Sequence, residues 1–311
     1  MSQELLEYHN VLLKSIFTET IVDQQEPVKI DQVVSDFDNV MFHISTPESK
    51  TKILLSIVLK SWPDLEKYGA KELLKAEYEG FVTETEVGYN FSLLVDLENL
   101  PCSTLEDRTL LVDKLSLLKR NAMAAPFELA FQQFDEMSKE AQQFEIGSYT
   151  PTDAQTEVMA IKYRDEETIY IQPNWDRVTI IFSTGFKDET DQVLGKVFLQ
   201  EFVDARRRAL QNAPRVMFRK GPPLEVQRAG FNGQLRPDQS FIAFVLFPQH
   251  IIPRRRERAI SHIQTFRDYF HFHIKSSKAF VHSRMRHRTG EFLKVLNRAK
   301  PENLEKSTRK I

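Results

Sequence analysis

The sequence predicts an α+β protein of two similar domains, each an antiparallel sheet with helices packed on one face, extended by a long C-terminal helix. Three observations support this. Short β-branched runs and amphipathic stretches follow in the order strand–turn–strand–helix–strand–helix, and that order recurs after roughly 125 residues. The 311 residues are 41% hydrophobic and 28% charged, the make-up of a folded chain of about two domains. The stretch from about Arg254 to Ala299 reads as one helix, with Gly290 as its evident break.

The elements follow in order. Asn39 to Ser45 is a short strand, and Thr46-Pro-Glu-Ser-Lys50 is a turn rich in breakers. Thr51 to Leu59 is a second strand, apolar and β-branched. A helix over about Pro63 to Tyr78 places Leu65, Tyr68, Leu73 and Leu74 at helical spacings, with Gly69 set to split it. Tyr89 to Leu97 is a strand. A helical stretch then starts near Ser103, where Ser103 and Glu106 match a capping box, and runs towards Phe144 with a break before Pro126. In the second half, Glu157–Arg164, Thr168–Gln172 and Arg177–Ser183 read as strands. Glu189 to Leu210 is a helix with Val193, Leu194, Val197, Phe198 and Phe202 on its apolar face. Arg215–Arg219 and Ser240–Phe247 are further strands. The division is therefore a first domain over 1–146, a polar linker over 147–156, and a second domain over 157–311 with the long helix at about 254–299.

Fully helical, Arg254–Ala299 spans about 69 Å, twice the width of a small domain. Ile260, Ile263, Phe266, Phe270, Ile274, Val281, Met285, Phe292 and Leu296 fall close to one seam. A seam longer than its own domain calls for a second chain, unless the helix bends back over its own protein.

Composition narrows the chemistry. Gly is only 10 of 311, and neither a phosphate-cradling glycine loop nor a metalloprotease or nucleophile-elbow motif occurs. The single cysteine, Cys102, excludes a disulfide framework and a cysteine-based zinc site. Six of eight histidines lie at or after His250, but their spacing on a helix gives no shared metal position. The acidic groups Asp36 with Asp38, Asp165-Glu-Glu167 and Asp188-Glu189 sit at turns or helix starts, where they solvate loops or favour a helix dipole. No enzyme, metal or cofactor is expected, no apolar run reaches the roughly 18 residues of a membrane span, and the acidic Met1–Tyr8 is not a signal peptide.

Charge is unevenly placed. From His250 onward sixteen Lys/Arg face five Asp/Glu, whereas the preceding chain carries 26 basic against 39 acidic residues. Arg206-Arg-Arg208 complements the end of its helix, but Arg254-Arg-Arg256 opposes the dipole at a helix start, which points to acidic groups on a partner. Basic residues interleaved with Phe266, Tyr269, Phe270, Phe272, Phe280 and Phe292 are open to a second reading, a nucleic-acid surface with base-stacking aromatics. The acidic remainder of the chain opposes it.

Thr265-Phe-Arg-Asp-Tyr-Phe-His-Phe-His-Ile-Lys275, Ser277-Lys-Ala-Phe-Val-His-Ser-Arg-Met-Arg286 and Phe292-Leu-Lys-Val-Leu-Asn-Arg-Ala-Lys-Pro301 resemble the family of subunit 2, the thirty-four-kilodalton subunit, of the actin-related protein 2/3 complex. Asp96-Leu-Glu-Asn-Leu-Pro101, Asp176-Arg-Val-Thr179 and Phe244-Val-Leu-Phe-Pro248 agree, and the resemblance runs colinearly through nearly the whole chain. It implies a cytoplasmic, non-catalytic scaffold subunit of the cortical actin cytoskeleton. Such a subunit pairs with subunit 4 through C-terminal helices, joins the other subunits, and docks on an actin filament from which a branch grows. Nucleic acid is not among the implied partners. The filament-binding role falls on Arg284, Arg286, Lys294, Arg298 and Lys300, with Arg206, Arg207 and Arg208 as further candidates. The subunit interface falls on Ile263, Phe266, Phe270, Ile274, Val281, Met285, Phe292 and Leu296.

Overall fold

The computed structural model describes residues 6–144, 157–186, 188–208, 212–231 and 236–298. The first sheet has four antiparallel strands in sequence order: β1 (Asp31–Asp36), β2 (Val40–Ser45), β3 (Lys52–Leu59) and β4 (Phe91–Asp96). Alternation sets its buried face. Val40, Phe42 and Ile44 of β2 and Ile53, Leu55, Ile57 and Leu59 of β3 point into the core. Strand β1 escapes the sequence reading because it is an edge strand with only Val34 buried, so its apolar signal is faint.

The helices of this half follow local signals. Helix α1 (Val11–Phe17) is capped by the Asn10 side chain, which accepts the Leu13 N–H at 2.9 Å. Gly69, at φ +90°, parts α2 (Trp62–Lys67) from α3 (Ala70–Glu77), as its sequence position predicts. The stretch from Ser103 is three helices: α4 (Leu105–Ser116), α5 (Leu118–Ala122) and α6 (Ala125–Ala141), the last opened by Pro126 in its first turn. The capping box sits one residue later than the sequence suggested. Thr104 is the residue in extended conformation, and it exchanges hydrogen bonds of 3.1 Å with Asp107.

The second sheet has five antiparallel strands in the order β5-β6-β7-β9-β8. These are β5 (Met159–Ile161), β6 (Thr168–Pro173), β7 (Val178–Gly185), β8 (Arg215–Arg219) and β9 (Gln239–Leu246). Strands β7 and β9 are buried on both faces, hence their unbroken apolar runs. One face carries α6, α7 (Glu189–Arg208) and α9 (Pro253–Arg298); a smaller cluster around Val226 of α8 (Leu224–Arg228) lies on the other. The proposed linker 147–156, and residues 209, 210 and 299 of the expected helices, lie outside the described residues.

Each half has its own sheet, yet their apolar residues join in one core. Polar contacts cross the same junction. The Ala160 N–H donates to the Tyr68 hydroxyl at 3.2 Å and the Lys162 N–H to the Asp64 carboxylate at 2.8 Å. Helices α7 and α9 pack together at Gly195, where a Cβ would meet Phe186 and Phe270 ring carbons at 3.3 Å. Ala at this position exchanges that crowding against a gain in helix propensity of about 1 kcal/mol. Gly195→Leu has no such room and is expected to lose roughly 1–3 kcal/mol in denaturant unfolding. A Leu variant as stable as the parent would contradict this packing.

Candidate interaction surface

Helix α9 is 46 residues long, and its two parts have different surroundings. Up to about Lys278 it lies against the chain's own body, with Ile260, Ser261, Ile263, Phe270 and Ile274 buried. From 279 to 298 every residue but Gly290 is exposed. That overhang of 20 residues projects about 30 Å.

Ion pairs hold the embedded part. Glu167 is buried and accepts from Arg267 at 2.8 and 3.1 Å, from the Tyr163 hydroxyl at 3.0 Å and from the Thr184 hydroxyl at 3.1 Å. Arg164 reaches two carboxylates, Asp38 in the β1–β2 turn at 2.6 Å and Asp268 on α9 at 3.0 Å. Lys119 of α5 adds a contact of 3.2 Å to Asp38. Arg120, also buried, donates to the Glu257 carbonyl at 2.8 Å and to Ser261 at 3.1 Å. Asp188, just before α7, and Asp191 within it both pair with Lys278, and Asp191 also with Lys275. The acidic clusters at Asp36–Asp38 and Asp165–Glu167 are therefore not simply solvated turns: Glu167 and Asp38 anchor α9 and the two halves together. Arg256 also finds its acid within the chain, at 2.7 Å from both oxygens of Asp135, so it does not need one from a partner.

Burial shapes titration here. Burial, and then the charge of Asp38 nearby, push the Asp268 carboxyl up to about 6 despite Arg164. Burial, then the charge of Arg267, lower His271 to about 4. Burial alone would raise the Glu167 carboxyl, but the hydrogen bonds and charge of Arg267 bring it below its usual range.

The eight interface residues inferred from the sequence divide in two. Ile263, Phe266, Phe270 and Ile274 pack inside this chain, Phe266 meeting Phe244 at 4.6 Å and Phe182 at 5.3 Å between ring centres. Phe270 and Ile274 are covered within the chain by α7 and the second sheet, whereas Ile263 and the half-buried Phe266 border an open groove. Val281, Met285, Phe292 and Leu296 are exposed. At 3.6 residues per turn they lie within about 60° of one another, an uncovered stripe with Arg288 on it.

The basic residues also divide. Arg284, beside the stripe, sits over the Phe280 ring at 5.6 Å, and Lys294 pairs with Glu291 at 2.9 Å. Arg286, Lys294 and Arg298 fall on the side of the helix away from the stripe. Lys300 lies outside the described residues. Arg206 stands beside Arg255, Arg258 and His262 of α9, about 33–44 Å along the axis from Arg284, so the two groups form separate patches. Arg207 and Arg208 lie within 4 Å of Asp204 and Glu201 on their own helix, which partly neutralises them. Among the described residues no group of His, Cys, Asp and Glu could hold a metal ion, and no helix is long and apolar enough to cross a membrane.

A family model described as Arp2/3 complex, 34 kD subunit p34-Arc matches residues 55–303. The chain is 50% identical to actin-related protein 2/3 complex subunit 2 of Schizosaccharomyces pombe over 315 aligned positions, covering 97% of this chain and 96% of that one. It is 37% identical to the protein of the same name from Dictyostelium discoideum over 314 positions, covering 99% and 97%.

Asp268 and His271 give opposite pH dependences. The raised Asp268 contributes stability that is present below the ordinary carboxylate pKa and lost as pH rises through about 6. The lowered His271 contributes stability present above its ordinary 6.5 and lost as pH falls towards about 4. Each is worth up to roughly 2–3 kcal/mol. Between pH 4.5 and 6.5, Asp268→Asn should gain stability with pH more steeply than the parent, and His271→Gln less steeply. Thermal unfolding across that range checks both signs; parallel curves for all three proteins would contradict the burial of these groups.

Proposed function

The chain belongs to the Arp2/3 complex 34 kD subunit family, and from that premise we propose that it is a structural subunit of the complex rather than an enzyme. It pairs through the overhang of α9 with the smaller subunit 4 and joins the remaining subunits in the cytoplasmic, cortical actin cytoskeleton. The observation that carries this reading is the division of residues 279–298 into an uncovered apolar stripe and a separate basic face. An exposed stripe of Val281, Met285, Phe292 and Leu296 favours burial by a second helix, at about 25 cal/mol per Å² of apolar surface removed from water. Arg286, Lys294 and Arg298 then face away from that helix, free to meet the acidic side of a pre-existing actin filament. Charged contacts of this kind chiefly set encounter rate and salt dependence.

Two variants separate the roles. Met285→Asp with Phe292→Asp is expected to abolish co-purification with subunit 4 while leaving the body folded, because neither residue belongs to the chain's own core. Equivalent changes at Phe270 and Ile274 would be uninformative, since they would disrupt that core directly. Retained pairing by the double Asp variant would contradict the helix-pairing reading.

For the filament, Arg286→Glu, Lys294→Glu and Arg298→Glu together should leave assembly intact and weaken co-sedimentation with actin filaments by roughly tenfold or more, single changes having small effects. Branch formation should fall in step. Unchanged co-sedimentation of an assembled variant would remove the filament role from this face, and failed assembly would place these residues in the subunit interface.

A further inference from the structure

Helices α7 and α9 touch at Gly195 and part towards Arg206, and an apolar groove opens between them. Its floor is Phe202, Val216, Phe244, Leu246, Ile263 and Phe266, and its volume is about 620 Å³. Arg206 stands on the α7 bank; Arg255, Arg258 and His262 stand on the α9 bank at helical spacing, and no lining residue is acidic. Arg206 donates to the Ala213 carbonyl at 3.0 Å and Arg255 to the Gln249 carbonyl at 2.8 Å, which occupies part of each guanidinium without neutralising it. Of the acids on the same helices or facing them, Glu257 pairs with Arg120, Asp135 with Arg256 and Asp204 with Arg207. The N-terminal end of the α9 dipole adds positive potential.

We infer that this groove docks an acidic amphipathic helix of a partner protein. From Arg255 to Phe266 the groove follows α9 for about 16 Å, or three helical turns. A guest helix of that length would seat apolar residues at i, i+3 or i+4 and i+7 on the floor. Carboxylates flanking its apolar face would meet cations on both banks. A single-headed anionic lipid satisfies one bank only, so the paired banks favour a peptide. Charge complementarity of this sort also rejects basic helices. The site ends about 20 Å along the axis before the overhang and does not depend on the filament reading. It also gives the arginine run at the start of α9 a role: Arg256 binds within the chain, while Arg255 serves the groove.

The test is fluorescence anisotropy on the full chain within its assembled complex. The probe is a labelled fourteen-residue helical peptide with Leu and Phe on one face and Glu on both flanks. Saturable binding is expected, weakened tenfold or more by Arg255→Glu with Arg258→Glu and, separately, by Phe202→Asp at an exposed position. The variant with Arg286→Glu, Lys294→Glu and Arg298→Glu should bind the peptide as the parent does. A scrambled peptide of the same composition and a Lys-for-Glu version should not bind. The proposal is overturned if the scrambled peptide binds equally, if the groove variants bind as the parent does, or if phosphatidylserine vesicles bind at this site and the peptide does not.

Discussion

The fold turns on how the first half of α9 is gripped. Arg164 bridges Asp38 of the first sheet's hairpin turn and Asp268 of α9, and Arg267 is held by a buried Glu167. These charges come from different parts of the chain and are largely out of water. Removing one member leaves a buried charge unpaired, at about 3–5 kcal/mol. The apolar contacts of Ile260, Phe270 and Ile274 make the helix adhere, while the directional ion pairs fix its register and bearing. With the root of the helix fixed, the direction of its last 20 residues follows.

A rigid root and a projecting helix present surfaces. One stripe is apolar and uncovered, another is basic, and the groove near the root combines both characters. The asymmetric charge of the chain therefore has a structural counterpart. The acidic majority includes carboxylates used internally to hold cationic helices, while the cations of the overhang remain largely available to partners.

Much of the fold was legible from periodicity and turn chemistry. Gly69 splits a helix, Pro126 opens one, and the strands of the second half lie within two residues of their expected positions, apart from a shorter β5. Strand β1 was not legible, because an edge strand with one buried residue leaves no alternating signal. The site was harder to read. An apolar seam shows that a face will be covered but not by which atoms, so Phe270 and Val281 looked alike although only the first is covered by its own chain. The anchoring role of Asp38 and Glu167 was invisible for a related reason: the arginines that hold them, Arg164 for Asp38 and Arg267 for Glu167, lie 126 and 100 residues away in sequence. Arg206 and Arg284 share one inferred role, yet the fold places Arg206 on α7 beside the first turns of α9 and Arg284 on the overhang.

The central claim is that residues 279–298 form a helix left uncovered by its own chain and covered in an assembly. Amide hydrogen exchange on this segment, compared between the isolated chain and the complete complex, tests it most directly. The amides of Val281, Met285, Phe292 and Leu296 should exchange fast in the isolated chain, while those of Ile260 and Phe270 exchange slowly in both states. On assembly the overhang should become strongly protected and the root should change little. Strong protection of 279–298 in the isolated chain, or none gained on assembly, would contradict the account.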